Sequence, residues 1–122
     1  MTRHREAEIQ TACVQWFRYQ FPHLAPILFA VPNGGKRNPA EAAHLKAQGV
    51  TPGVSDLILL VPSGQYHGAC IEMKAGKGQL TDKQHEWLKV AGKQGYYVAI
   101  CWSVDEFIET IHDYFSQSGN IV

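Results

Sequence analysis

The sequence lacks the features that mark membrane, secreted or zinc-knuckle proteins. No apolar run approaches the roughly 20 residues that a membrane-spanning helix needs. The chain has three cysteines, an odd number, and none of them are spaced as Cys-x-x-Cys. Both facts argue against a disulfide framework or a zinc knuckle. The N-terminal segment MTRHREAE is charged and has no apolar region of the kind found in signal peptides. We therefore expect a soluble, cytoplasmic protein.

An excess of one charge is also absent, because 11 basic residues balance 11 acidic ones. The distribution is nevertheless uneven. Residues 1–50 hold six Lys or Arg against three Asp or Glu, whereas residues 101–122 hold four acidic residues and no basic one. The first hundred residues are therefore mildly basic, which is compatible with a phosphate-binding face but does not require one.

The composition is that of an ordinary globular protein, with 45% hydrophobic and 18% charged residues. A chain of 122 residues can bury its own core, so we treat residues 1–122 as one domain. Hydrophobic periodicity and turn residues predict alternating helices and strands. The predicted elements are a helix over 3–20, a strand over 26–31, a helix over 39–49, strands over 55–61 and 66–74, a helix from an N-cap at Thr81 to about Gln94, a strand over 95–102 and a helix after Ser103.

Two of the predicted strands form a hairpin. The runs SDLILLV and YHGACIEMK are separated only by the turn PSGQ. A helical crossover then leads to the run GYYVAICW, which is the last strand. This order predicts an α/β fold, in which helices cover both faces of a mixed sheet.

The stretch ACIEMKAG places two charges in an apolar strand. Side chains alternate along a strand, so Glu72 and Lys74 share one face. Taken alone, this pair favours a simple ion pair without a catalytic role. Asp56 changes that interpretation, because it begins the first strand of the hairpin and the start of one antiparallel strand lies beside the end of its partner.

Two carboxylates that converge repel each other unless a cation lies between them. Oxygen ligands with positions open to water suit Mg²⁺ or Mn²⁺, and the backbone carbonyl of Met73 is available as a further ligand. Such an ion could polarise a phosphodiester, while Lys74 could orient or deprotonate the attacking water or stabilise the developing charge.

The chain resembles the PD-(D/E)xK nucleases and, more narrowly, the virus-type replication–repair nuclease (VRR-NUC) family. The blocks that carry the resemblance occur in order: REAEIQTACVQWFR, PNGGKR, AQGVTPGVSDLILLV, IEMKAGKGQLTDKQHEWL and GYYVAICWSVDEFI. One departure is Ser55, which stands where proline often precedes the aspartate. The resemblance implies a restriction-endonuclease-like fold, with Asp56 and Glu72 as metal ligands and Lys74 as the catalytic lysine.

A glutamate from the first helix commonly completes sites of this family, and both Glu6 and Glu8 are candidates. Helical geometry places Glu6 within the apolar stripe and Glu8 at its polar edge, so we favour Glu6. Gln84 occupies an inward position on the helix after the ExK strand. It is either a core amide bonded to the backbone or, as the resemblance implies, a residue that supports the site.

The segment PNGGKR can contact phosphate. Its glycines let the backbone approach closely, and its bases add charge-assisted hydrogen bonds. The alternative is a plain turn with two solvated bases, and we weigh the two equally beside a nuclease site. The residues expected to contact nucleic acid are Asn33, Gly34, Gly35, Lys36, Arg37 and Lys77.

The sequence thus predicts a Mg²⁺- or Mn²⁺-dependent DNA endonuclease. The resemblance further implies a Holliday-junction-resolvase-like enzyme that acts in replication, repair or recombination, and the small size of the domain favours a homodimer. The predicted catalytic residues are Glu6, Asp56, Glu72, Lys74 and Gln84. A nucleic-acid-binding module that keeps the fold without cutting is the alternative. A small-molecule metal hydrolase would need a deep apolar pocket.

Overall fold

The computed structural model describes residues 2–32 and 38–117. The elements follow the predicted order. The helices are α1 (Thr2–Gln20), α2 (Pro39–Ala47), α3 (Asp82–Lys93) and α4 (Val104–Ser116), and the strands are β1 (Leu28–Ala30), β2 (Leu57–Leu59), β3 (Ala69–Met73) and β4 (Tyr97–Cys101).

The strand predicted over 26–31 is shorter than expected. Pro26 and Ile27 belong to a 3₁₀ helix, Pro22–Ile27, that precedes β1. Proline has no N–H to donate to a strand ladder and its φ is fixed, so it favours this tight turn over a strand. Proline also begins α2, where Asn38 caps the helix by accepting a hydrogen bond from the Glu41 N–H.

The four strands form one mixed sheet in the order β1-β2-β3-β4. The pairs β1–β2 and β2–β3 are antiparallel, which confirms the predicted hairpin. The crossover through α3 makes β4 parallel to β3. The predicted α/β fold, a mixed sheet flanked by helices, is therefore correct.

The sheet separates the molecule into two layers. Leu28, Leu57, Leu59 and Ile71 point to one face and pack with α1 and α4 in the hydrophobic core, which includes Phe107. The opposite face carries α3. Because strand residues alternate, Glu72 lies on this second face, and so do the cross-strand neighbours Ile58, Cys70 and Val98.

The described residues contain no helix that combines the length and apolarity needed to cross a membrane.

Candidate active site

The hairpin brings Asp56 to the end of β3. Leu57 pairs with Ile71, so continuing the antiparallel register by one residue sets Asp56 beside Glu72. The Met73 N–H donates a hydrogen bond of 2.8 Å to Asp56 Oδ2. Asp56 therefore occupies a position where a β2 main-chain carbonyl would otherwise continue the ladder, and its side chain is fixed against the ExK strand.

Glu72 is a carboxylate in an enclosed position, only 2% exposed. Its Oε2 accepts a 2.9 Å hydrogen bond from Gln84 Nε2, and Lys74 Nζ lies 3.8 Å away. Its Oε1 is buried and has no hydrogen-bond partner among the described residues. Burial and the negative charge of Asp56 raise the pKa of Glu72 to about 8, although Lys74 opposes the shift.

Lys74 is buried beside Glu72 and is held by both its main chain and its side chain. Its N–H donates to the Cys101 carbonyl at 3.0 Å, which extends the pairing of β3 with β4 by one residue. Its Nζ donates to Gln84 Oε1 at 3.0 Å. Lysine is rarely buried without partners, and the partners of this ammonium are the Gln84 amide and the Glu72 carboxylate.

Gln84 links the two charged residues of the ExK pair. It lies in the first turn of α3, and its amide bonds Lys74 through Oε1 and Glu72 through Nε2. The same Oε1 accepts a 2.9 Å hydrogen bond from the Thr81 N–H. Gln84 therefore has contacts of both predicted kinds. Its amide forms a hydrogen bond with the backbone, and it also forms hydrogen bonds with Lys74 and Glu72.

The loop before Asp56 is pressed against the start of α3. Gly53 has a φ of 88°, in the left-handed region that favours glycine. A Cβ at this position would lie 2.4 Å from the Lys83 carbonyl oxygen. Only glycine lets the main chain approach so closely, and this approach places Asp56 and Gln84 on opposite sides of one small site.

The family model for VRR-NUC domains matches residues 4–105. The chain belongs to the VRR-NUC domain family. A solved structure described as a VRR_NUC domain protein is similar to it with a TM-score of 0.80 and 30% sequence identity, over 92% of this chain and 88% of that one. No curated protein matches the chain. The VRR-NUC family is a nuclease family, so membership supports a nuclease role, implies nucleic-acid binding and agrees with the use of a divalent metal.

The predicted metal ligands carry donor atoms of the kind that divalent cations bind. Asp56 and Glu72 supply carboxylate oxygens, and the unpartnered Glu72 Oε1 is an acceptor that a cation would satisfy. The Met73 N–H faces Asp56, and the N–H and carbonyl of one strand residue point to the same side, so the Met73 carbonyl is directed there too. These three residues fit Mg²⁺ or Mn²⁺.

The predicted glutamate of the first helix is not grouped with this pair in a metal-binding cluster of the described residues. Glu6 is half-buried on α1, and Glu8 is exposed. Among the described residues, no group of three or more His, Cys, Asp or Glu side chains is arranged to hold a metal ion. The structure therefore does not place Glu6 with Asp56 and Glu72 in such a group.

The residues expected to contact nucleic acid are only partly described. Asn33, Gly34, Gly35, Lys36 and Arg37 lie outside the described residues. Lys77 is exposed in the loop that follows the ExK strand, three residues beyond Lys74. The main chain turns there at Gly76, whose φ is 57°, and the Gly78 N–H donates to the Ala75 carbonyl.

Sequence reasoning did not assign Thr81 or Gly53 to the site. The spacing T-x-x-Q in LTDKQ is that of a capping box, and this signal was available in the sequence. Nothing in the sequence, however, indicates that the capping glutamine also bonds the ExK pair. The role of Gly53 depends on how closely two distant segments approach, which a local pattern does not reveal.

Proposed function

We propose that this protein is a metal-dependent DNA endonuclease that hydrolyses phosphodiester bonds. The observation that carries the proposal is the buried Glu72 carboxylate, with its unpartnered Oε1, between the half-buried Asp56 and the buried Lys74. A buried carboxylate beside a second carboxylate is costly without a cation. The VRR-NUC match supplies the reaction class, since the family is one of nucleases.

Asp56, Glu72 and the Met73 carbonyl would hold Mg²⁺ or Mn²⁺. When bound, the ion supplies Lewis-acid polarisation of the phosphodiester and favours a nucleophile at neutral pH. Lys74 has three N–H donors, one of which goes to Gln84. Another is available to orient the attacking water or to stabilise negative charge on the phosphate. Gln84 keeps the ammonium and the Glu72 carboxylate in fixed relative positions.

Further residues complete the proposed site. Glu6 would approach the metal from α1 once DNA and ion are bound. The segment from Asn33 to Arg37 and the exposed Lys77 would contact the phosphate backbone. We infer a structure-selective activity of the Holliday-junction-resolvase type in replication, repair or recombination, since a small domain needs a second copy to cut both strands of a branched substrate.

A homodimer has a surface feature in its favour. Val98, Ile100 and Trp102 are exposed by 38%, 39% and 39%. Val98 and Ile100 belong to β4 and Trp102 directly follows it; β4 lies at one edge of the sheet formed by the described residues. Exposed apolar side chains in a row next to an unpaired strand edge are typical of surfaces that another chain covers. In a symmetric homodimer, the row of apolar side chains on each chain would be covered by the partner chain.

The test compares cleavage of a labelled four-way junction and a linear duplex by the wild type, Asp56→Ala, Lys74→Ala and Lys93→Ala. Lys93→Ala is the matched control, because it removes an exposed lysine at the end of α3. With Mg²⁺ or Mn²⁺, we expect both site variants to lose roughly a hundredfold or more of the cleavage rate. Lys93→Ala should cut like the wild type. The oligomeric state is measured by sedimentation under the same conditions.

Calcium and a chelator separate cutting from binding. We expect the wild type to bind DNA with Ca²⁺ in a gel shift and to cut it only with Mg²⁺ or Mn²⁺. Undiminished cutting by Asp56→Ala or Lys74→Ala would contradict the proposed site. Binding without any cutting in Mg²⁺ and Mn²⁺ would favour the alternative, a nucleic-acid-binding module on the same fold.

A further inference from the structure

The first turn of α3 is closed by a capping box between Thr81 and Gln84. Thr81 is the N-cap residue, with extended φ and ψ of −76° and 164°. Its Oγ1 accepts a 3.1 Å hydrogen bond from the Gln84 N–H, and its own N–H donates to Gln84 Oε1 at 2.9 Å. In an ordinary capping box the side chain at this position satisfies only the helix end. Here the same amide also reaches Lys74 and Glu72.

The capping box determines which way the Gln84 amide points. Its Oε1 receives hydrogen bonds from the Thr81 N–H and from Lys74 Nζ, while its Nε2 donates to Glu72 Oε2. The reverse orientation would direct an NH₂ group at two donors and an oxygen at a carboxylate. A main-chain N–H can only donate, so the position of the Thr81 N–H selects the observed orientation.

We propose that Thr81 is a positioning residue of this site: it holds the capping box closed, and thereby fixes the amide that spaces Lys74 from Glu72. The consequence for cleavage rests on the proposed nuclease function. The orientation of the Gln84 amide, in contrast, is a property of the protein alone. Removing the Thr81 hydroxyl releases the Gln84 N–H, frees the N-cap backbone and lets the Thr81 N–H turn away from Oε1.

The chain contains a matched helix cap whose side-chain hydrogen bonds do not include Glu72, Lys74 or Gln84. Ser103 caps α4 by accepting a 3.1 Å hydrogen bond from the Glu106 N–H, the same length as the bond at Thr81. The Glu106 side chain then accepts from the Trp102 N–H and leads no further into the charged cluster. A cap that only stabilises its helix should therefore behave like Ser103.

The experiment compares Thr81→Val, Thr81→Ser and Ser103→Ala with the wild type. Thr81→Val and Ser103→Ala each remove a hydroxyl with little change of shape, so both should lower Tm by about 4 °C. Only Thr81→Val should lower kcat with Mn²⁺, by roughly tenfold to a hundredfold, with KM for DNA unchanged within about twofold. Thr81→Ser keeps the hydroxyl and should restore kcat.

A second measurement, by NMR, reports the orientation of the Gln84 side-chain amide directly in the metal-free protein. The side-chain NH₂ resonances of Gln84, assigned by their loss in Gln84→Glu, should be shifted downfield and protected from exchange, because one proton is donated to Glu72. We expect Thr81→Val to abolish both properties, Thr81→Ser to retain them and Ser103→Ala to leave them unchanged.

The proposal is wrong if Thr81→Val leaves the Gln84 resonances unchanged, or if it lowers kcat no more than Ser103→Ala does. If the wild type itself cuts no DNA, the proposed nuclease function fails instead. The Gln84 resonances then still decide whether Thr81 orients the amide, since they require neither metal nor substrate.

Discussion

On one face of β3, Ile71 and Met73 pack into the hydrophobic core without exposure to solvent. On the other face of the same strand, Glu72 is 2% exposed and lies beside Lys74 under the first turn of α3. The two faces are thus buried to almost the same extent. They differ in how well burial is compensated: the core face contacts only apolar side chains, whereas the site face contains a carboxylate oxygen without a partner among the described residues.

The two faces of β3 therefore have different roles. The core face stabilises the fold, whereas the site face carries the charged groups that are available for function. Apolar contacts stabilise the core face by removing hydrocarbon from water. The site face costs free energy, because the Glu72 carboxylate and the Lys74 ammonium leave water while Glu72 Oε1 keeps no hydrogen bond among the described residues. A bound cation would supply the missing interaction. We therefore expect substitutions on the two faces to have opposite effects on stability.

Glu72→Gln should have the largest effect on stability of the changes considered. The pKa of about 8 in the folded protein lies above the usual carboxyl pKa of 4.5, so the folded state binds this proton more tightly than the unfolded chain. The stabilising contribution is complete below about pH 4.5 and is lost as the pH rises through about 8. We expect the metal-free wild type to lose several kcal/mol between about pH 5 and about pH 9 relative to Glu72→Gln, as measured by urea unfolding.

Mg²⁺ provides the control for this measurement. On the proposed function the ion would bind the ionised carboxylate, so it should restore stability to the wild type at high pH and leave Glu72→Gln nearly unaffected. If the free energies of unfolding of the two proteins changed with pH in parallel, burial of the ionised Glu72 carboxylate would not be what destabilises the site face.

Much of the site was predictable because it depends on regular geometry. Period-two alternation sets Glu72 and Lys74 on one face, and the short turn between two apolar runs brings Asp56 next to them. These relations follow from the sequence alone. The chain order of the sheet was predictable for the same reason, since a hairpin and a helical crossover permit few alternatives.

The remaining features depend on where α3 lies over the sheet. The hydrogen bonds that Gln84 accepts from Lys74 and donates to Glu72 exist only because the crossover sets the first turn of α3 above the end of β3. The close approach of Gly53 to Lys83 joins segments 30 residues apart. No local propensity encodes either distance. Pro26 shows the opposite case, in which a local restriction shortened a predicted strand.

Gly53→Ala should have the next largest effect, because it tests whether α3 is held against the Asp56 loop. Gly49 is the matched control: its φ is 105°, but a Cβ there meets no atom within 4 Å. We expect Gly49→Ala to lose about 1 kcal/mol of stability from left-handed backbone strain alone. Gly53→Ala should lose roughly 2 to 4 kcal/mol, since its Cβ would also overlap the Lys83 carbonyl.

Cleavage distinguishes the two glycines further. A shift of the first turn of α3 displaces Gln84 and hence Lys74, so Gly53→Ala should cut DNA more slowly than Gly49→Ala under conditions where both are folded. Equal losses of stability and equal cleavage rates in the two variants would mean that the contact of Gly53 with α3 does not position the site.

Ile71→Val should have the smallest effect and the opposite sign to Glu72→Gln. It removes one buried methylene group from the core face of β3, one residue before Glu72. The lost contacts should lower the free energy of unfolding by about 1 kcal/mol at every pH, with urea unfolding as the measurement. The cleavage rate should equal that of the wild type, because the core face of the strand and the site face meet different helices. Slower cutting by Ile71→Val at unchanged stability would show that core packing sets the spacing of Asp56 and Glu72, so that the two faces do not act independently.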